Sequence, residues 1–205
     1  MADPSQTRQW ILLNKPYDLP VLDGDKPTFQ LVTNELPSIS NEQLLVKPLY
    51  FSNDPAQRTW IAADADPHRS YAPLINIGEP ITALGIAHVI ESRSSNFLPG
   101  TLVYGRMSWS EHVIMDQKDI YPIPLSAPGL SITQFMGSLG LAGLTAYCGL
   151  CDVVKATPND SIVISGAAGA IGTMAVQIAK KLIGCKKVIP FQRRHKAYDW
   201  IMRGF

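Results

Sequence analysis

Hydrophobic and polar positions along the chain fall into two regimes. Up to about residue 125, short apolar or β-branched runs recur at 9–14, 29–33, 43–51, 81–91, 101–104 and 112–115. Turn formers separate them, among them Leu22-Asp-Gly-Asp25, Ser95-Asn96 and Pro99-Gly100. Such runs between clusters of Gly, Pro, Asn and Asp read as strands. Their spacing predicts an irregular, mostly antiparallel β-domain over 1–125.

Near residue 126 the period changes. Phe135, Met136, Leu139, Leu141, Leu144, Tyr147, Leu150 and Val153 come to recur every three or four residues, which predicts a helix with a broad buried face. Gly137, Gly140 and Gly143 fall where a shorter preceding helix would be interrupted or end. Residues 161–165, Ser-Ile-Val-Ile-Ser, read as a buried parallel strand. A helix is expected over 170–182, facing inward through Ile171, Met174, Ala175, Ile178 and Leu182, with Gly184 as its C-cap. A second strand follows over 187–191 and a second helix over 195–202. This β-α-β-α order is that of a parallel sheet. The fold class is α/β, with 126–205 as the N-terminal part of a doubly wound, Rossmann-type domain.

Between strand and helix lies Gly166-Ala-Ala-Gly169-Ala170-Ile171-Gly172. Glycines there allow a tight turn, let backbone approach phosphate oxygens and permit close helix–strand contact. Free N–H groups of the helix's first turn then face a dinucleotide pyrophosphate, helped by the helix dipole. The spacing is not G-x-G-x-x-G, and by itself it equally suits a plain strand–helix connection. The flanking strand and amphipathic helix supply the context that the binding reading requires. About 20 residues on, an NAD site carries an acid for the ribose 2′-hydroxyl. Here strand 187–191 runs into Gln192-Arg193-Arg194-His195-Lys196, with no acid. Arginine and lysine suit a 2′-phosphate, which favours NADP(H); the alternative is a solvated basic loop.

Composition narrows the remaining classes. The 205 residues are 46% hydrophobic and 17% charged, so the chain is globular. A net charge of +1 gives no general pull toward nucleic acid or an anionic membrane. No secretory h-region is visible at the N-terminus, and the apolar region around 135–154 is broken by glycines and Asp152, a poor membrane span. Three cysteines, Cys148, Cys151 and Cys185, are too few for a disulfide scaffold and point to a reducing, cytoplasmic setting. Cys148 and Cys151 could be half of a zinc or redox motif, but their apolar helical setting points to buried packing. His68, His88, His112 and His195 are scattered, and none pairs with a cysteine at metal-ligand spacing. No metal is expected.

Four segments together resemble a known family: Leu13-Asn-Lys-Pro16, Leu49-Tyr-Phe-Ser-Asn-Asp-Pro-Ala-Gln-Arg58, Leu139-Gly-Leu-Ala-Gly-Leu-Thr-Ala-Tyr-Cys-Gly-Leu150 and Ala168-Gly-Ala-Ile-Gly172. They are similar to the medium-chain dehydrogenase/reductase superfamily. Within it they resemble the zinc-independent alkenal/one oxidoreductases, which include prostaglandin reductases and plant double-bond reductases. The resemblance implies a GroES-like β-domain before the Rossmann domain. It implies NADPH-dependent reduction of the carbon–carbon double bond of an α,β-unsaturated carbonyl, an enal or enone. Gly169, Ala170, Ile171 and Gly172 match the family's pyrophosphate turn, Arg193 or Lys196 its 2′-phosphate cation, and Thr145 and Tyr147 positions beside its cofactor cleft. No catalytic residue follows from the match.

The chain also departs from the family pattern. Ala56 stands where the family carries a tyrosine lining the substrate site. Pro190 interrupts the second strand, although proline cannot donate to a sheet ladder. Only 33 residues follow Gly172, too few for the five or six strands of a complete dinucleotide fold. The chain therefore reads as a fragment or degraded copy. Two other functions stay open: a catalytically inactive remnant that binds cofactor or a partner, and a quinone reductase-like enzyme. An interrupted parallel sheet also leads us to expect exposed apolar surface, poor solubility or a homodimer.

Overall fold

Alternation along one strand from Val103 onward shows how the first half of the chain is built. In Leu102–Ser108 the side chains of Val103 and Met107 are buried with Gly105 between them, while Tyr104, Arg106 and Ser108 stand on the opposite face. The computed structural model describes residues 5–124 and 129–192. The chain divides into two compact units, Met1–Ala127 and Pro128–Phe205.

In the first unit, β1 (Gln6–Leu12) and β2 (Phe29–Glu35) form an antiparallel pair. A five-stranded antiparallel sheet holds β3 (Gln43–Phe51), β4 (Thr82–Ser92), β5 (Leu102–Ser108), β6 (Val113–Asp116) and β7 (Ile120–Pro122), in the order β6-β3-β4-β5-β7. Bridges Gln9–Ser110 and Ile11–Pro80 join the pair to the larger sheet's connections. Leu44, Val46, Val89, Val103 and Met107 centre one core; Leu12, Trp60, Ile61, Ile75 and Ile81 form a second. Helix α1 (Ala56–Trp60) closes that second core. The six runs expected as strands are all strands, with ends shifted by a few residues. Helix α1 and β7 were not expected, because five and three residues are too short to show a period.

In the second unit, a 3-10 turn (Ile132–Met136) leads to α2 (Leu141–Cys148), which widens into a π turn over Gly149–Val153. Strand β8 (Ser161–Ser165) follows, then α3 (Ala170–Gln177) with a π continuation over Ile178–Ile183, then β9 (Lys187–Phe191). β8 and β9 pair in parallel, Ser161 opposite Lys187 and Ser165 opposite Phe191. Gly184 ends the helix in the left-handed conformation at φ 76°, as expected. The fold is thus α/β: an antiparallel β-domain, then a β-α-β unit of a doubly wound parallel sheet.

Which residues face inward differs from expectation. The buried stripe of α3 and its continuation is Gly172, Ala175, Val176 and Ala179 with Ile178; Ile171 and Leu182 are 48% and 66% exposed. On α2 the buried positions are Gly143 and Ala146, followed by Leu150, whereas Leu141, Leu144 and Tyr147 are exposed. The two helices pack through small residues, which bring their backbones close and turn the bulky apolar side chains outward. The broad buried face expected over 131–154 is therefore absent. β8 is likewise not a buried strand: Ile164 is buried, but Val163 is 65% exposed.

Pro190 is accommodated by its phase on β9. The Lys187 N–H donates to Asp160 O, and Phe191 O accepts from Ala167 N–H, so odd-numbered residues face β8. Pro190 points its missing donor away from β8 and leaves that ladder intact. Among the described residues no strand covers the outer edge of β9, and no helix is long and apolar enough to cross a membrane.

The exposed Leu141, Leu144, Tyr147, Val163, Ile171 and Leu182 leave apolar surface of the kind that favours association. Light scattering of the purified chain is expected to show concentration-dependent self-association. A monodisperse monomer that melts cooperatively would refute this.

Candidate functional site

The glycine turn of the second unit is built by backbone geometry. Gly166 leaves β8 at φ 63°, a left-handed conformation. Gly169 N–H then donates to Gly166 O at 2.9 Å. Gly172 lies directly beneath this turn: a Cβ there would sit 2.7 Å from Ala167 Cα and closer still to Gly166 O. Thr173 secures the approach, its N–H donating to Gly169 O and its Oγ1 to Ala167 O. Gln192, just past β9, accepts at Oε1 from Ala168 N–H at 3.4 Å and ties the strand's end to the same turn.

Helix α3 starts from this turn with Gly169 as N-cap in extended backbone. No side chain caps it, and its first turn carries no acid. The N–H groups of Ala170, Ile171 and Gly172 therefore have no capping acceptor among the described residues, and the positive end of the helix dipole is unopposed. Gly169, Ala170 and Ile171 are exposed. This is a cradle for a doubly charged, oxygen-rich group, and the residues present fit a pyrophosphate.

In the first unit, the Ser52–Arg58 segment proves to be a fastening. Ser52 Oγ donates to Asp54 Oδ1 at 3.0 Å, and Gln57 Oε1 accepts from Asp54 N–H at 2.8 Å. Gln57 Nε2 reaches Thr82 O on β4, and Arg58 Nη2 donates to Tyr17 O at 2.7 Å, which pins the loop after Pro16. Around this segment lie two cavities that share Asn53 and Trp109. One, of about 770 Å³, is walled by Trp10, Leu31 and Phe51. The other, of about 510 Å³, is walled by Leu19, Phe29, Ile61 and Ile75. Ala56 opens α1 and packs at the edge of the second core.

Comparison with known proteins agrees with this architecture. Residues 8–123 match a family described as the N-terminal domain of oxidoreductase. Prostaglandin reductase 1 of Mus musculus is 34% identical over 184 residues, 89% of this chain and 51% of that protein. The chain belongs to the medium-chain dehydrogenase/reductase superfamily, in its double-bond reductase-like branch. A 2-alkenal reductase (NADP(+)-dependent) of Nicotiana tabacum is 31% identical over 187 residues, covering 90% of this chain and 52% of that protein. The crystal structure of CurA from Vibrio vulnificus in complex with NADPH aligns with a TM-score of 0.79 at 26% identity, over 96% of this chain and 55% of that one. The chain spans about half the length of the curated relatives it matches.

Within this superfamily member, the sequence-selected residues divide into three groups. Gly169, Ala170, Ile171 and Gly172 come together in the turn. Thr145 and Tyr147 lie on the exposed side of α2, flanking buried Ala146; no hydrogen bond links either to the turn among the described residues. Arg193 and Lys196, and the helix expected over 195–202, lie outside the described residues. Cys148 and Cys151 are half-buried rather than core residues: Cys151 packs at the edge of the second unit's core, and the Asp152 side chain, with a smaller effect of burial, raises the pKa of Cys148. Among the described residues no three His, Cys, Asp or Glu side chains are placed to hold a metal.

Sequence reasoning missed Tyr104 and Arg106. Burial and then the charge of Asp54 push the Tyr104 phenol up, and burial lowers the Arg106 guanidinium against a smaller opposing effect of Tyr71. Their signal was present: Tyr104, Arg106 and Ser108 are polar residues at alternate positions of a strand whose other residues are apolar or Gly105.

Gly172→Ala is expected to destabilise the second unit by about 3 kcal/mol or more in urea unfolding, because backbone atoms cannot yield to the new methyl. Gly169→Ala, whose Cβ would meet Gly166 O at 3.2 Å, should cost about 1 kcal/mol or less. Equal effects would refute the close-contact argument. The raised pKa of Cys148 keeps it a thiol at pH values where an ordinary cysteine is partly ionised. Its alkylation near neutral pH should therefore be slow and should accelerate in Asp152→Asn, read by peptide mass spectrometry; an unchanged rate would sink the assignment.

Proposed function

We propose that the chain forms part of an NADPH-dependent reductase acting on the carbon–carbon double bond of enals or enones. The observation that carries this reading is the uncapped, acid-free helix start above a glycine that admits no side chain, in a chain whose relatives are named as prostaglandin and alkenal reductases. In this reading the N–H groups of Ala170, Ile171 and Gly172 hold the pyrophosphate, and Arg193 and Lys196 supply the positive charge for a 2′-phosphate. Thr145 and Tyr147 are retained as weaker contacts beside the cofactor. When bound, NADPH supplies the hydride.

The protein's own contribution is to orient, to exclude water and to stabilise charge that develops on the substrate carbonyl oxygen. The cavity walled by Leu19, Phe29, Ile61 and Ile75 is the proposed seat of the substrate's hydrocarbon part. Three free thiols accord with a reducing, cytoplasmic setting.

Titration of the purified chain with NADPH and NADH, followed by an enone-reduction assay, tests the reading. NADPH should bind at least about tenfold more tightly, as expected when a charged group gains a partnered cation. Tighter NADH would overturn the 2′-phosphate assignment. Binding of neither cofactor would overturn the assignment of the turn, and with it the reductase reading.

A further inference from the structure

We propose that Arg106 is the recognition group of a carboxylate-binding site on the β4–β5 face opposite Val103 and Met107, at the edge of the second core, suited to a small aromatic carboxylate. Arg106 stands on β5 opposite Leu84 of β4, on the face away from the core residues Val103 and Met107. Its guanidinium carbon lies 4.1 Å from the centroid of the Trp60 ring, and Trp60 is itself 5% exposed. The Nε of Arg106 donates to Thr82 Oγ1 at 3.1 Å, and Tyr71 meets Trp60 edge-on at 6.1 Å between ring centroids. One edge of the planar fork is thereby fixed, and one of its faces is covered by an aromatic ring.

The other edge has no counterpart. Ion pairs among the described residues join Arg8 to Glu111 and Lys118 to Asp116; none reaches Arg106. Its terminal amino groups have no acceptor, and they are not among the enclosed unpartnered atoms, which are Trp60 Nε1, Trp109 Nε1 and His112 Nδ1. They are therefore open to solvent. A half-buried arginine without a carboxylate is an unusual expense for a fold, since burial disfavours its charge. Arg8 contrasts with it, being a surface arginine whose carboxylate partner lies directly alongside. The free edge of Arg106 presents two parallel N–H donors, the arrangement that accepts both oxygens of one carboxylate. The exposed Tyr71 and half-buried Tyr104 favour an aromatic body behind that carboxylate.

Ligand-detected NMR on the full chain, without nicotinamide cofactor, tests the site with benzoate, its neutral counterpart benzyl alcohol, and inorganic phosphate. Benzoate should bind saturably, with benzyl alcohol and phosphate each at least about tenfold weaker. Arg106→Gln should weaken benzoate by about tenfold or more. Arg106→Lys, which keeps the charge but loses the fork, should also weaken it. Thr82→Val should have a smaller effect in the same direction. No saturable benzoate binding, equal binding of the alcohol or of phosphate, or unchanged affinity in Arg106→Gln would each overturn the assignment. The comparison of ligands on the unaltered chain decides the question even if a variant does not fold. Because no cofactor is used, failure here leaves the reductase reading untouched.

Discussion

The second unit depends on one close contact, the backbone of Gly172 lying beneath Gly166 and Ala167. A methyl group at Gly172 would overlap backbone rather than a movable side chain. Helix α3 can therefore meet the exit of β8 only through small residues, and Ala175, Val176 and Ala179 continue that stripe. Helix α2 reaches the core containing Ala167 through Ala146, while its Gly143 lies against the backbone of Ser138. The consequence appears on the other side of both helices. Bulky residues that do not fit the close interface are turned outward, and Leu144, Ile171 and Leu182 become surface. The same contact aims the first N–H groups of α3 past the turn, so packing and anion recognition share one cause.

This constraint also explains what could be read from the sequence. Strands at 43–51, 161–165 and 187–191 were legible to the residue, because turn formers or the end of a helix bound them. The end of the α3 helix was legible because Gly184 alone can take its left-handed position cheaply. The inward face of α3 was legible only in part. Of the expected stripe Ile171, Met174, Ala175, Ile178 and Leu182, Ala175 and Ile178 are buried and Met174 packs against the core, but Ile171 and Leu182 are exposed and Gly172, Val176 and Ala179 complete the buried face instead. Periodicity locates an amphipathic helix, and large apolar residues indicate its buried face only where the interface has room for them. The same error made 131–154 look broadly buried.

In the first unit the balance between structure and chemistry was also hidden from pattern alone. The Ser52–Arg58 segment carries a family-specific motif, which invites a catalytic reading. Its hydrogen bonds instead hold Asp54 to Gln57, Gln57 to β4 and Arg58 to the loop at Tyr17. The polar groups without such fastening duties stand one strand further on, at Tyr104 and Arg106, where nothing in the sequence marks them except strand alternation. Spacing finds residues that act on their sequence neighbours. It does not find a cation whose neighbours Trp60, Tyr71 and Thr82 arrive from three separate segments.

The two candidate sites differ in what they demand of the chain. The turn at 166–172 uses main-chain N–H groups, so its side chains are free to vary wherever a Cβ fits; Gly172 is constrained by contact and Ala170 is not. The β4–β5 face works through a single side chain, that of Arg106, held by Thr82 and Trp60. Recognition by backbone is thus coupled to folding, since disturbing Gly172 disturbs α3 itself. Recognition by Arg106 is tied to packing in another way, because its guanidinium lies over Trp60 of the second core and shares its sheet face with the buried Ile86. Backbone recognition at the turn is thus fixed by close main-chain contact, and recognition at Arg106 by the stacking of one side chain.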